Sequence, residues 1–119
     1  MIRYATNEMN KEMKIDLDSF INLFNENKAI LLDIRDNYET KVWNIPFALH
    51  IPADELPNRL NELPKDKIIV AACPFQNRSP FAAMFLKNNG FDARYLEKGL
   101  LNLMENLKGP KAKKLNLGE

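Results

Sequence analysis

Apolar residues recur at Leu17, Phe20, Ile21 and Phe24, a spacing that lines one face of a helix, with Asp16 or Asp18 placed to cap it. Residues 29–34 form a short unbroken apolar run, the signature of a strand buried on both faces of a parallel sheet. Residues 67–72 repeat that signature and deliver Cys73 at their end. A helix is predicted over 79–89, with Phe81, Ala82, Phe85 and Leu86 facing inward and Gly90 stopping it. Short helices are predicted over 38–43 and 58–63, the second with Pro57 near its first turn. Further strands are predicted over 48–51 and 93–96, and a last helix over 100–107. Strands alternating with helices at this spacing predict an α/β fold, a parallel or mostly parallel central sheet flanked by helices on both faces.

One domain, residues 15–107, accounts for the pattern. A polar arm over 1–14 precedes it, and a basic tail over 108–119 follows and is expected to be solvated. A chain of 119 residues is long enough to bury an ordinary core without disulfides or metal. Its single cysteine cannot form an internal disulfide, and one Cys with one His cannot fill a zinc site, so neither metal nor cofactor is expected. Seventeen basic against sixteen acidic residues leave a net charge of +1, too little to draw the chain to nucleic acid or to a membrane surface. The first eight residues contain no apolar signal core and no run of 18 apolar residues occurs, so a cytoplasmic location is expected.

Cys73 carries the chemical interest. The buried strand gives way there to Pro74, Phe75, Gln76, Asn77, Arg78 and Ser79 and then to a helix, whose N-terminus faces the loop. Unpaired N–H groups at such an end carry partial positive charge and favour an anion, and Arg78 adds a full charge. Surroundings of this kind lower a cysteine pKa from about 8.5 toward neutrality and make the sulfur reactive. Ser79 is expected to cap the helix and Pro80 to occupy its first position. The plainer alternative is a core cysteine closing a strand. The anion-cradling layout of the loop shifts the reading to covalent sulfur chemistry.

Asp33, Arg35 and Glu39 follow the first buried strand and are expected to brace the loop by pairing among themselves and with backbone. His50, the only histidine, is read as structural, since nothing in its spacing brings it to Cys73. Trp43, Phe47 and Phe75 are candidates to wall the pocket over the sulfur.

Four pieces of sequence occur in a meaningful order: Leu31-Leu32-Asp33-Ile34-Arg35 with Glu39; Ile45-Pro46-Phe47-Ala48 with Ile51-Pro52; Cys73 through Ser79; and Gly90-Phe91 leading to Leu96-Glu97-Lys98-Gly99. In these the chain resembles the rhodanese-like domains, over residues 31–103. The resemblance implies a sulfurtransferase that moves a sulfane sulfur from thiosulfate, a persulfide or a polysulfide, through a Cys73 persulfide, to cyanide or to a thiol, free or on a protein. It also implies that backbone N–H groups of the loop wrap the transferred sulfur. Cysteine-dependent phosphatases and arsenate reductases place five residues between Cys and Arg; only Pro74, Phe75, Gln76 and Asn77 lie between Cys73 and Arg78. So short a loop suits one added sulfur atom rather than phosphate.

Departures from the family pattern cluster at the site. Gln76 stands where glycine is common, Trp43-Asn44 replaces Gly-His, Phe47 replaces a glycine, Lys98 the first of two glycines, and Leu103 a tryptophan. With no charge on residues 74–77, a persulfide or polysulfide donor is favoured over dianionic thiosulfate. Gln76, Phe47 and Lys98 also motivate a rival expectation, a rhodanese-like binding or regulatory module with weak or no turnover. A large gain in transfer from Gln76→Gly would mark a damaged loop, and no change a merely different one.

Overall fold

The computed structural model describes residues 12–118. Five strands form one parallel sheet: β1 (Lys14–Ile15), β2 (Ala29–Asp33), β3 (Leu49–His50), β4 (Ile68–Ala72) and β5 (Ala93–Leu96), in the order β1-β5-β4-β2-β3. Among the described residues the sheet is connected and covered by helices α1 (Leu17–Asn25), α2 (Asn37–Val42), α3 (Ser79–Asn88) and α4 (Gly99–Leu107). β4 is the central strand, paired with β2 along its whole length and with β5 from Ile69 to Ala71. Alternation along it builds two cores. Ile69, Ala71 and Cys73 pack with Ala82, Ala83 and Leu86 of α3, while Val70 and Ala72 pack with Phe20 and Ile21 of α1 and Leu100, Leu103 and Leu107 of α4. The expected α/β architecture is therefore present, with helices on both faces.

Several local expectations change. The arm predicted over 1–14 lies outside the described residues up to residue 11. Beyond that Met13 is buried and Lys14–Ile15 pairs with Tyr95 and Leu96 as an edge strand. The short helix predicted over 58–63 is instead two 3₁₀ stretches, Ala53–Asn58 and Leu60–Glu62, because Pro57 has no N–H to give to an α-helical bond. Phe81 is 64% exposed, whereas Ala82, Ala83 and Leu86 are buried, so α3 turns its small residues to the sheet and approaches it closely. The basic tail is solvated as expected, residues 108–114 all being exposed, but it is not frayed: Gly109–Lys114 forms a 3₁₀ turn and Leu115 beyond it is buried. Asn25 clasps both sides of Leu115, donating to Lys114 O at 2.7 Å and accepting from Asn116 N–H at 2.7 Å.

Candidate active site

β4 ends at Ala72 and places Cys73 at the C-terminal edge of the sheet, the edge at which parallel α/β sheets bind ligands. Neighbouring strand ends hold it there. Ile34 N–H donates to Ala72 O at 3.1 Å, and Ile51 N–H to Asp33 O at 3.1 Å, so the ends of β2, β3 and β4 are tied together. Asp33 and Arg35 secure this corner as a buried ion pair. The guanidinium donates to Asp33 through Nε at 3.0 Å and Nη2 at 2.7 Å, and the backbone N–H of Arg35 donates to the same carboxylate at 3.1 Å. Arg35 stacks over Trp43 with 4.8 Å between its Cζ and the ring centroid, and its carbonyl lies 2.7 Å from His50 Nε2. His50 thus serves the corner, and among the described residues no hydrogen bond joins it to Cys73.

The Cys73 residue is fully buried. Its thiol lies within donating distance of Phe75 O at 3.5 Å and of Asn77 Oδ1 at 3.7 Å, so the loop folds back over the sulfur. None of the backbone N–H groups from Phe75 to Ser79 donates to another described residue, which leaves them available to a group bound in the loop. Ser79 does not cap α3 as expected. Arg78 occupies the cap position, Ser79 is the first helical residue, and its buried Oγ has no hydrogen-bond partner among the described residues.

Arg78 is held by a residue that sequence reasoning assigned to another partner. Glu39 receives its guanidinium at two points, Nη1 to Oε1 and Nη2 to Oε2, each 2.9 Å. This two-point bond holds the Glu39 carboxyl at about 2, far below the usual carboxylate range, and it also raises the Arg78 pKa. The same carboxylate closes a capping box with Asp36 at the start of α2: Glu39 N–H donates to Asp36 Oδ1 at 2.9 Å and Asp36 N–H to Glu39 Oε1 at 3.1 Å. The Asp-x-x-Glu spacing is visible in the sequence and locates Glu39 on the first turn of a helix. The partner 39 residues away has no such signal.

A second anchor comes from α4. Leu100 N–H donates to Cys73 O at 2.8 Å, Leu101 N–H to Pro74 O at 3.1 Å, and Lys98 N–H to the Gln76 side chain at 2.8 Å. Gly99, at φ +74°, lies so close to the loop that a Cβ would collide with Phe75 O and Cys73 O. Of the three aromatic residues proposed to wall the pocket, Phe47 packs instead against Phe24, edge on at 5.8 Å, and Trp43 lies beneath Arg35. Phe75 is 64% exposed on the outside of the loop. No helix among the described residues is long and apolar enough to cross a membrane.

A family model, the Rhodanese-like domain, matches residues 16–106. A sulfurtransferase from Allochromatium vinosum is 36% identical over 63 residues, 53% of this chain and 59% of that protein. A candidate sulfur carrier protein of Bacillus subtilis is 34% identical over 80 residues, 67% of this chain but only 39% of the relative. The chain therefore spans less than two thirds of either relative's length. Among solved structures, a rhodanese-like domain protein from Staphylococcus aureus superposes with a TM-score of 0.65 at 34% identity, covering 72% of this chain and 85% of that one.

Proposed function

The chain belongs to the rhodanese-like domain family, and from that membership we propose that it is a sulfurtransferase working through a persulfide on Cys73. The observation that carries this reading is the loop: one cysteine at the end of the central strand, enclosed by five successive residues, Phe75 to Ser79, whose N–H groups bond to no other described residue. Family membership and the sulfurtransferase relative support sulfur transfer in general terms.

In the first half-reaction the Cys73 thiol gives its proton to solvent and the thiolate attacks the outer sulfur of the donor. A bond forms between Sγ and that sulfur, the donor's own bond to it breaks, and the remainder leaves with the electron pair. Sulfite leaves from thiosulfate, a thiolate from a persulfide, a shortened chain from a polysulfide. In the second half-reaction cyanide or an acceptor thiolate attacks the terminal sulfur, and the Cys73 thiolate is released. Electrons balance within each exchange, so no redox cofactor enters. Loop N–H groups and the start of α3 stabilise negative charge on the terminal sulfur, as an oxyanion hole does for oxygen.

Substrate preference follows from charge. Glu39 offsets Arg78, and residues 74–77 bring no charge of their own, so a dianion such as thiosulfate gains little. A persulfide or polysulfide is the favoured donor. Phe75 and Leu101 stand exposed beside the loop and suit an acceptor thiol presented on a protein surface, in a reducing cytoplasm where such thiols persist. The rival reading, a module that binds without turnover, draws on the complete burial of Cys73. Thiocyanate formation from polysulfide and cyanide separates them. Turnover by the wild type and none by Cys73→Ser supports the enzyme; turnover retained in Cys73→Ser refutes it.

A further inference from the structure

Gln76 sits at the middle of the cysteine loop, where the family commonly has glycine, and its side chain reaches to the start of α4. Oε1 accepts a hydrogen bond from Lys98 N–H at 2.8 Å, across 22 residues of sequence. Lys98 is the cap residue of α4, in the left-handed region at φ +65°, and its own side chain makes no capping bond. The first donors of a helix have no partner within it. Here the loop supplies partners to three of them: Cys73 O to Leu100, Pro74 O to Leu101, and the Gln76 carboxamide to Lys98. The two carbonyls fasten the beginning of the loop. Gln76 fastens its middle. On the far side the Arg78–Glu39 pair fastens its end to α2. The loop N–H groups without a protein partner lie between these anchors.

We propose that Gln76 is a positioning residue for sulfur transfer, its side chain clamping the loop to the start of α4 so that the loop N–H groups stay gathered around the Cys73 sulfur. The proposal rests on the sulfurtransferase reading. It also reverses the expectation attached to the missing glycine. In this chain the glutamine completes the loop, and a glycine at position 76 would slacken it.

Two substitutions isolate the bond. Gln76→Met keeps the length of the side chain and removes the acceptor, whereas Gln76→Glu keeps an acceptor for Lys98 N–H. In transfer to cyanide, Gln76→Met is expected to lower kcat by about 3–10-fold, as loss of one neutral hydrogen bond would, with the donor KM within about twofold of wild type. The same variant should react faster with iodoacetamide, because the loop opens over a buried thiol, and should lose exchange protection at the Lys98 amide. Gln76→Glu should stay near wild type in all three. An unchanged thermal unfolding midpoint distinguishes a slack loop from a generally weakened fold, which would also lower transfer and expose the thiol. The proposal is overturned if Gln76→Met matches wild type in kcat and alkylation, or if Gln76→Glu falls as far as Gln76→Met. Should the wild type transfer no sulfur, the sulfurtransferase reading fails, and alkylation and amide exchange still decide whether the clamp exists.

Discussion

Replacing Glu39 by glutamine removes the carboxylate that grips Arg78 at two points. The bond holds the Glu39 carboxyl at about 2 against an ordinary value of 4.5. At ~1.4 kcal/mol per tenfold change in proton affinity, that gap corresponds to about 3.5 kcal/mol. The side chains of Glu39 and Arg78 are 30% and 39% exposed, and solvent screening reduces the expected loss. We expect Glu39→Gln to cost about 1–2 kcal/mol at neutral pH, read from urea unfolding. A double-mutant cycle with Arg78→Met should return most of that as coupling between the two residues. The sign of the pH dependence is fixed: a carboxyl whose folded value is depressed stabilises the protein above its unfolded value and loses that contribution as the pH falls. The gap between wild type and Glu39→Gln should therefore be complete above about pH 4.5 and narrow steadily toward pH 2. A coupling below ~0.3 kcal/mol, or a gap that holds constant through that window, would show that the two-point bond is not what positions Arg78.

Gly99→Ala places a Cβ against Phe75 O and Cys73 O on a backbone at φ +74°, and is expected to destabilise by more than ~2 kcal/mol in urea unfolding while abolishing transfer. An unfolding midpoint equal to that of wild type would contradict the close approach of α4 to the loop. Ser79→Ala removes a buried hydroxyl without a described partner and should raise stability by about 1 kcal/mol, visible as a higher thermal midpoint. A marked loss instead would mean that the hydroxyl is satisfied in solution.

The buried strands, though neither the edge strand at Lys14–Ile15 nor the order of strands in the sheet, were readable from the chain because burial on both faces leaves a run such as residues 29–34 almost without polar interruption. The strand that ends at Cys73 carries the same mark, and with it the position of the site. Helix faces were less readable. Phe81 looks like a core residue beside Ala82 and Leu86, yet it is exposed while Ala82, Ala83 and Leu86 are buried and Phe85 packs partly against the core, and hydrophobicity alone cannot rank a small residue against a large one. The site's supports were hidden for a different reason. Glu39 to Arg78 and Gln76 to Lys98 are contacts 39 and 22 residues apart, formed by side chains whose local spacing is fully explained by a capping box and a polar loop. Gln76 looked like a departure from the family until its partner was seen. Leu115 is similar: it follows a basic run and differs little in sequence from Leu117, yet Leu115 alone is buried, its flanking backbone held by Asn25.

The central claim is that Cys73 carries a transferable sulfur, and intact-mass measurement of the protein after treatment with polysulfide tests it directly, since the chain has no other thiol. The account predicts a gain of one sulfur atom that cyanide then removes and that Cys73→Ser never acquires. Folded, reduced protein that takes up no sulfur from polysulfide or thiosulfate would contradict it.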